Sequence, residues 1–173
     1  MNTFLIIIAI IFVFPFVLAL FVKKDYHIER SIIINRPKHE VFDYIKFIRN
    51  QDNFSKWTMM DPDMHKEFTG TDGTPGFIYT WKGDNKVGEG EQEIQQVIEG
   101  ERITMELRFK KPFQAVGHAY MITEAESEHS TRVKWGMYGN TKYPRNIMNL
   151  AMNSAVGKSI NESLNNLKNI LEK

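Results

Sequence analysis

The stretch PRNIMNLAMNSAVGKSINESLNNLKNILE, residues 144–172, decides the fold of this chain. Its apolar and small residues recur every three or four positions, which is the spacing of one face of an α-helix. Pro144 fits the start of the helix, because its missing N–H costs nothing in the first turn. A helix of this length needs a broad surface against which it can bury its apolar face. The predicted face consists of Ile147, Leu150, Ala151, Ser154, Gly157, Ile160, Leu164, Leu167 and Leu171.

The middle of the chain is predicted to supply that surface as a β-sheet. An isoleucine-rich strand is predicted over Tyr26–Asn35, and two short helices follow, one opening at Pro37 and one over Gln51–Trp57. Turn residues then separate a series of strands that form antiparallel hairpins. These strands are predicted over Lys66–Thr69, Phe77–Lys82, Val87–Glu99, Arg102–Phe109, Ala115–Ala125 and Arg132–Tyr138. The predicted fold class is α+β: a strand, two short helices, a six-strand meander and the long C-terminal helix.

An apolar segment precedes this domain. The 19 residues from Phe4 to Val22 carry no charge and, at about 1.5 Å per residue, are long enough to cross roughly 30 Å of hydrocarbon. We expect a transmembrane helix within residues 1–24 and one domain over residues 25–173. A cleaved signal peptide fits less well, because no basic region precedes the segment and no A-x-A site follows it. Lys23 and Lys24 come after the segment, so the positive-inside tendency places the domain on the cytoplasmic side.

The composition excludes several classes of function. Hydrophobic residues make up 42% of the chain and charged residues 25%, and the net charge of +1 argues against a protein that coats nucleic acid. The chain has no cysteine, which excludes disulfides, thiolate metal ligands and cysteine nucleophiles. Its five histidines are scattered without metal-ligand spacing, so no metal and no cofactor is predicted. The sequence does not fix an oligomeric state.

Alternation along the strands predicts which side chains point inward. One inward set is Phe77, Tyr79 and Trp81; a second is Ile103, Met105, Leu107 and Phe109; a third is Val133, Trp135 and Met137. This face is rich in aromatic residues and methionine. His118, Tyr120 and Ile122 are expected to join it, although Ala119 and Met121 leave the phase of that strand ambiguous.

The order of elements resembles the START-like superfamily, also called SRPBCC, which includes polyketide cyclases and pollen allergens. The stretch SIIINRPKHEVFDYI is similar to the opening strand and helix of that superfamily, and GFIYTWKGDNKVGEGEQEI is similar to its third and fourth strands. The resemblance covers Tyr26–Lys173. It implies a helix-grip fold, in which the sheet wraps the last helix around a cavity for apolar molecules. A membrane anchor is an addition to the common pattern.

The residues expected to bind a ligand are the inward aromatic and methionine side chains together with small or flexible residues of the last helix. They are Trp57, Tyr79, Trp81, Met105, Leu107, His118, Tyr120, Trp135, Met137, Met148 and Ala151. For any single one of them, packing as ordinary core is the competing interpretation. His118 is the best candidate for acid-base chemistry, but no set of catalytic residues is recognisable.

Two further patterns near the predicted fourth strand are interpreted as structural. Glu89, Glu91 and Glu93 share one strand face and are expected to pair across the hairpin with Arg102 or Arg108. The sequence Gly88-Glu-Gly90 lacks the third glycine of a dinucleotide fingerprint and falls inside a strand. A bulge or a close approach to the helix explains these glycines better.

The predicted function is a membrane-anchored, cytoplasm-facing binding domain for an apolar small molecule or lipid, without catalysis. One alternative is a cyclase or hydratase in which Tyr79, His118 or Tyr120 polarises a substrate carbonyl. Another is a regulatory interaction module with a closed pocket.

The cavity mouth is predicted to face the membrane. Alternate hairpin links, Lys82–Lys86, Lys110–Phe113 and Thr141–Arg145, gather at one end of a meander, and the resemblance implies that the first strand begins there. The residues expected to face the lipid are Lys82, Lys86, Lys110, Lys111, Phe113, Lys142 and Arg145. This mixture suits an anionic lipid surface, although lysines also occur commonly in exposed turns.

Overall fold

Seven antiparallel strands form one sheet in the computed structural model, which describes the backbone of residues 2–173 and the side chains from residue 11 onward. The strands are β1 Asp25–Ile34, β2 His65–Thr69, β3 Ile78–Lys82, β4 Glu89–Ile98, β5 Arg102–Lys111, β6 Ala115–Ser127 and β7 Ser130–Asn140. Their order across the sheet is β1-β7-β6-β5-β4-β3-β2. β2 to β7 form the predicted meander, and β1 closes the sheet against β7.

Five helices accompany the sheet. They are α1 Asn2–Ala19, α2 Lys38–Ile45, α3 Gln51–Phe54, α4 Lys56–Met59 and α5 Asn149–Leu171. The helix predicted over residues 51–57 is divided in two, because Ser55 is extended, with φ −70° and ψ 125°. The amide of Lys56 then donates to Ser163 Oγ at 2.8 Å, which ties α4 to α5.

The concave face of the sheet wraps α5, as the helix-grip prediction requires. The side of α5 that is buried consists of Gly157, Ile160, Ser163, Leu164 and Leu167. The core beneath it is aliphatic and aromatic, and α2 contributes Val41, Phe42 and Ile45 to it.

The predicted apolar face of α5 is correct from Gly157 onward and wrong before it. Three residues rotate a helix by about 300°, which is 60° short of a full turn. Each step of three residues toward the N-terminus therefore moves about 60° away from the buried face. The steps from Gly157 to Ser154 and Ala151 therefore lead to the exposed side of the helix. Met152 and Val156 take the inward positions instead.

The predicted transmembrane segment, Phe4–Val22, lies partly outside the residues whose side chains are described. Its backbone is helical as far as Ala19, where α1 ends. Within the described part of the chain, no helix is both long enough and apolar enough to span a membrane.

The strand ends place three links and the start of β1 at one end of the sheet. Asp25 pairs with Asn140, Lys82 pairs with Glu89, and Glu89 pairs in turn with Lys111. Three strands, β3, β5 and β7, therefore finish where β1 begins. We call this the basic end; it comprises the links 82–89, 111–115 and 140–145.

Candidate functional site: a cavity between the sheet and the C-terminal helix

A cavity of about 270 Å³ lies between the concave face of the sheet, the short helices and α5. Seven of the eleven residues predicted to bind a ligand line it: Trp57, Tyr79, Trp81, Met105, Leu107, Trp135 and Met137. The strand phases of β3, β5 and β7 were assigned correctly from alternation, which is why these side chains converge. Their role in binding stays a prediction.

Aromatic contacts make the cavity wall stiff. The ring of Trp135 meets Trp57 edge-on with centroids 5.7 Å apart, and it meets Phe54 in the same way at 5.9 Å. On the other side, Trp81 lies 5.9 Å from both Tyr79 and Phe109. Edge-to-face and tilted pairs of this kind add stability beyond their buried area. These contacts join the aromatic residues of the wall into two connected groups.

Gly90 provides the space in which Trp81 packs. A Cβ at this position would lie 2.5 Å from the Trp81 ring and 2.7 Å from the Arg108 carbonyl oxygen. The register of β4 against β5 also shifts between Glu89 and Gly90. The predicted bulge is present, and the close approach is to a tryptophan and a strand, not to the helix.

The cavity has a buried floor and a half-exposed rim. The floor is buried and consists of Gln51, Tyr79, Gln92, Met105, Ala119 and Trp135. The rim is half-exposed and consists of Tyr26, Trp81, Phe109 and Met137 at strand ends and of Met152 and Val156 on α5. Since the rim residues on the sheet lie at the basic end, the cavity opens in that direction.

Three polar side chains at the floor have only sulfur atoms as side-chain partners among the described residues. The amide nitrogen of Gln92 lies 3.0 Å from Met105 Sδ, and that of Gln51 lies 4.0 Å from the same sulfur. Tyr79 Oη lies 3.8 Å from Met64 Sδ. Burial, together with the nearby charge of Asp52, raises the pKa of Tyr79, so its hydroxyl remains a donor at neutral pH.

The expectation that His118 and Tyr120 face the cavity is wrong. In β6 the inward residues are Gly117, Ala119 and Met121, and the two predicted residues point to the opposite face of the sheet. The ambiguous phase of β6 is therefore resolved: Ala119 faces inward, and its small side chain leaves room for the cavity. Ile122 is on the outer face for the same reason.

Met148 and Ala151 are also outside the cavity, because of the helical phase described above. The side chain of Met148 is 50% exposed, and it belongs to a 3₁₀ turn over Arg145–Met148 that precedes α5. Ala151 is exposed on the side of α5 that faces away from the sheet.

Several residues that line the cavity are not in the predicted site. Gln92 could have been found, because Glu89, Glu91 and Glu93 on the outer face of β4 place Gly90, Gln92 and Ile94 on the inner face. Phe109 was assigned inward but was not included in the predicted site. The remaining lining residues are Tyr26, Gln51, Ser55, Thr58, Met64, Val87, Ala119, Met152 and Val156. Most of these come from helices or strand ends, whose inward side depends on tertiary packing.

The lining of this cavity contains no Asp, Glu, His, Lys or Arg side chain. The predicted acidic row on β4 belongs to the outer face, where Arg108 pairs with Glu91, Glu93 and Glu106. Among the residues with described side chains, no group of three His, Asp or Glu could hold a metal ion. The chemistry available to an occupant is apolar contact plus hydrogen bonding to amide and hydroxyl groups.

Comparison with known families agrees with this architecture. Residues 25–172 match the model of the family described as polyketide cyclase/dehydrase and lipid transport. The chain belongs to this family. The match begins at the first residue of β1 and ends one residue beyond α5, so it covers the whole helix-grip domain and excludes α1.

Solved structures with the same fold have little sequence in common with this family member. Truncated norcoclaurine synthase from Thalictrum flavum is similar with a TM-score of 0.66 and 8% identity, over 84% of this chain and 92% of that one. The structure of Ara h 8.0201 is similar with a TM-score of 0.58 and 12% identity, over 85% of this chain and 97% of that one. A protein from Bacillus thuringiensis is similar with a TM-score of 0.60 and 13% identity, over 86% of this chain and 100% of that one. No curated protein sequence matches the chain.

Proposed function

We propose that this protein binds a small apolar molecule in the cavity between the sheet and α5. The observation that carries the proposal is the cavity itself, about 270 Å³ in volume and lined by aromatic, methionine and aliphatic side chains. Two comparisons support it: the family description includes lipid transport, and norcoclaurine synthase has been solved with dopamine and hydroxybenzaldehyde.

The lining favours binding over catalysis. Proton transfer at neutral pH needs a group whose pKa lies near 7, and the cavity offers only amides, hydroxyls and a tyrosine whose pKa is raised. The cyclase or hydratase alternative also loses two of its three residues, since His118 and Tyr120 lie outside. The open volume argues against an interaction module with a closed pocket.

A titration with 2-methylnaphthalene, followed by tryptophan fluorescence, tests the binding proposal. Ala119→Leu fills the cavity from β6, and we expect it to weaken binding roughly tenfold or more, since the ligand loses its buried contact area. Ala125→Leu is the matched control, because Ala125 is an exposed residue of the same strand. Equal affinity in both variants would contradict binding in this cavity.

We further propose that α1 is a membrane anchor and that the cavity opens toward the lipid surface. The apolar run from Phe4 to Val22 supports an anchor, as do large apolar residues that stay exposed near the basic end. These are Leu20, Phe21, Phe113, Tyr143, Met148 and Leu150. Met148, in the 3₁₀ turn before α5, and Leu150, in the first turn of α5, are at least half exposed, so a lipid surface gives them an apolar environment.

A second cavity supports a route between the lipid surface and the first cavity. It has a volume of about 540 Å³, and its lining includes Leu18 from α1, Phe21 just after that helix and Leu150 from α5. Tyr26 and Met152 line both cavities, so they form the partition between the two. Of these two residues, Met152 has the more flexible side chain, so it is the one we propose as the gate between the cavities.

The charges at the basic end are arranged differently from the prediction. Lys110 pairs with Glu91, and Lys111 pairs with Glu89 at 2.8 Å, so these two lysines are neutralised on the outer face. Among the described residues, no carboxylate lies within ion-pair distance of the remaining predicted cations, Lys82, Lys86, Lys142 and Arg145. We assign the attraction to anionic lipid to this second group.

A further inference from the structure

Three polar side chains at the cavity floor are almost completely buried, and none of them has a strong hydrogen-bond partner in the part of the chain that the structure describes. Gln51 is 4% exposed, Tyr79 is 5% exposed and Gln92 is 8% exposed. Their side-chain donors reach only the thioether sulfurs of Met64 and Met105. Thioether sulfur is a weak acceptor, whereas an amide or phenol in water makes several strong hydrogen bonds. Burying these groups in this way costs free energy that contacts with thioether sulfur do not return.

The position of these groups shows what would compensate that cost. All three line the cavity, so their unused hydrogen-bonding capacity can be reached by an occupant. Each glutamine amide offers one acceptor and donor hydrogens, and Tyr79 offers one hydroxyl. We propose that the ligand carries a polar group at its buried end and that Gln51, Tyr79 and Gln92 recognise this group by hydrogen bonds. This proposal rests on the binding function proposed above.

The polar group of the ligand is uncharged. Among the described residues, no basic or acidic side chain lines the cavity, so a buried carboxylate or ammonium would have no counter-charge. Asp52, which acts on Tyr79 from outside the lining, is itself paired with Lys66 at 2.8 Å. Hydroxyl, carbonyl and amide groups need no counter-charge.

The volume limits the size of the ligand. Benzene fills an apolar cavity of about 150 Å³, so the 270 Å³ available here suits a compact molecule of about ten to fifteen non-hydrogen atoms. The expected class is therefore a small neutral amphiphile, such as a fused-ring alcohol or ketone, with its polar group innermost.

Three probes of nearly equal shape test this assignment: 2-naphthol, 2-methylnaphthalene and 2-naphthoate at pH 7.5. The full chain in one detergent is titrated with each probe and compared with Gln92→Met, Gln51→Met and Tyr79→Phe. Comparing variants with the same probe cancels partition of that probe into detergent. Thermal unfolding followed by circular dichroism verifies that each variant folds. If the glutamine variants do not fold, Tyr79→Phe still tests the proposal, because it removes only the hydroxyl group.

We expect Gln92→Met to weaken 2-naphthol binding about tenfold and to change 2-methylnaphthalene binding less than twofold. 2-Naphthoate should bind the unmodified protein at least tenfold more weakly than 2-naphthol. If 2-naphthol and 2-methylnaphthalene binding change equally in all three variants, the floor residues do not recognise the polar group. If 2-naphthoate binds tightly, the polar group need not be neutral. If none of the probes binds, the proposed binding function itself fails, which distinguishes the two claims.

Discussion

Tyr120 shows how a single glycine determines the position of a neighbouring side chain. It pairs with Gly136 across β6 and β7, and a Cβ on Gly136 would lie 2.1 Å from the tyrosine ring. The ring therefore reaches over Gly136 toward β1, where its hydroxyl donates to Glu29 Oε2 at 2.5 Å and contacts His27 Nε2 at 2.7 Å. Burial, followed by the bond to Glu29, raises the pKa of Tyr120. Tyr120 therefore belongs to the outer face of the sheet and is not among the residues that line the cavity.

Gly136→Ala is expected to destabilise the protein by about 1 to 3 kcal/mol, because the new methyl group forces the Tyr120 ring off its site. In a Tyr120→Ala background the same change should be neutral or slightly stabilising, since alanine reduces the entropy of the unfolded chain. Urea midpoints of the four proteins in this double-mutant cycle measure the coupling. Additive effects of the two substitutions would refute the contact as the reason for glycine.

Trp135 both packs in the core and lines the cavity. It is 4% exposed and contacts Phe54 and Trp57 through its ring edges. We expect Trp135→Ala to cost about 3 kcal/mol, at the low end for truncation of a buried tryptophan, because part of its surface already faces open space. Urea unfolding of the two proteins measures the difference, and a loss below about 1 kcal/mol would argue against a packed wall.

At the scale of elements, the C-terminal end of α5 is fastened to the end of β1. Glu172 Oε1 accepts a hydrogen bond from the backbone N–H of Asn35 at 2.6 Å and lies 3.1 Å from Lys168 Nζ. Lys168 in turn donates to the Ile33 carbonyl at 2.6 Å. The bond from Asn35, and then the pairing with Lys168, lowers the pKa of Glu172 below its ordinary 4.5. These contacts also cover backbone groups of an edge strand.

Glu172 is expected to make stability depend on acid pH. Because its pKa is lower in the folded state, it stabilises the protein above about pH 4.5, and this contribution disappears as the pH falls through the folded pKa. Glu172→Gln should therefore be less stable than the unmodified protein at pH 7, and the two should converge toward pH 2. Urea midpoints at a series of pH values measure the gap.

Glu128→Gln is the matched control for that series, since Glu128 is exposed in the turn between β6 and β7. We expect it to follow the unmodified protein at every pH. A gap for Glu172→Gln that does not change with pH would mean that hydrogen bonding by the neutral side chain, and not charge, fastens α5.

The elements differ in how far the sequence predicts them. Strand boundaries and faces followed from alternation, because a half-buried antiparallel strand must alternate. In β6, small residues face the cavity and large ones face outward, so hydrophobicity gave no phase and His118 was misplaced. In α5, spacing alone does not distinguish Ala151 and Ser154 from Met152 and Val156, and the last two take the inward positions. Gln51 and Gln92 were missed because buried polar residues are recognisable only when their surroundings are known.

At the scale of the whole molecule, two asparagines fix α1 to the domain. Asn146 is 1% exposed, and its amide nitrogen donates to the carbonyls of Ala19 at 2.6 Å and Val22 at 2.8 Å. Asn149 donates to the carbonyls of Lys23 and Lys24, both at 3.0 Å. The carbonyl of Ala19 closes α1, and the other three belong to the link between α1 and β1, so these two asparagines hold both the end of the helix and that link. The proposed anchor would therefore hold the cavity rim in one orientation instead of on a flexible linker.

That geometry predicts which end of the domain touches lipid. Phe113 lies in the link between β5 and β6 at the basic end, is 49% exposed and stacks with Arg145 at 5.1 Å. His129 lies at the opposite end of β7, a strand of 11 residues, roughly 35 Å away.

The full chain is placed in vesicles of anionic lipid with brominated acyl chains, which quench tryptophan fluorescence on contact. The additional emission of Phe113→Trp should be quenched, because the large side chain lies at the lipid surface, whereas that of His129→Trp should not. Reversal of the unpaired cations in Lys82→Glu with Lys142→Glu should reduce the quenching of Phe113→Trp in anionic vesicles and leave it unchanged in neutral ones. Equal quenching at the two ends would show that the cavity rim does not face the membrane.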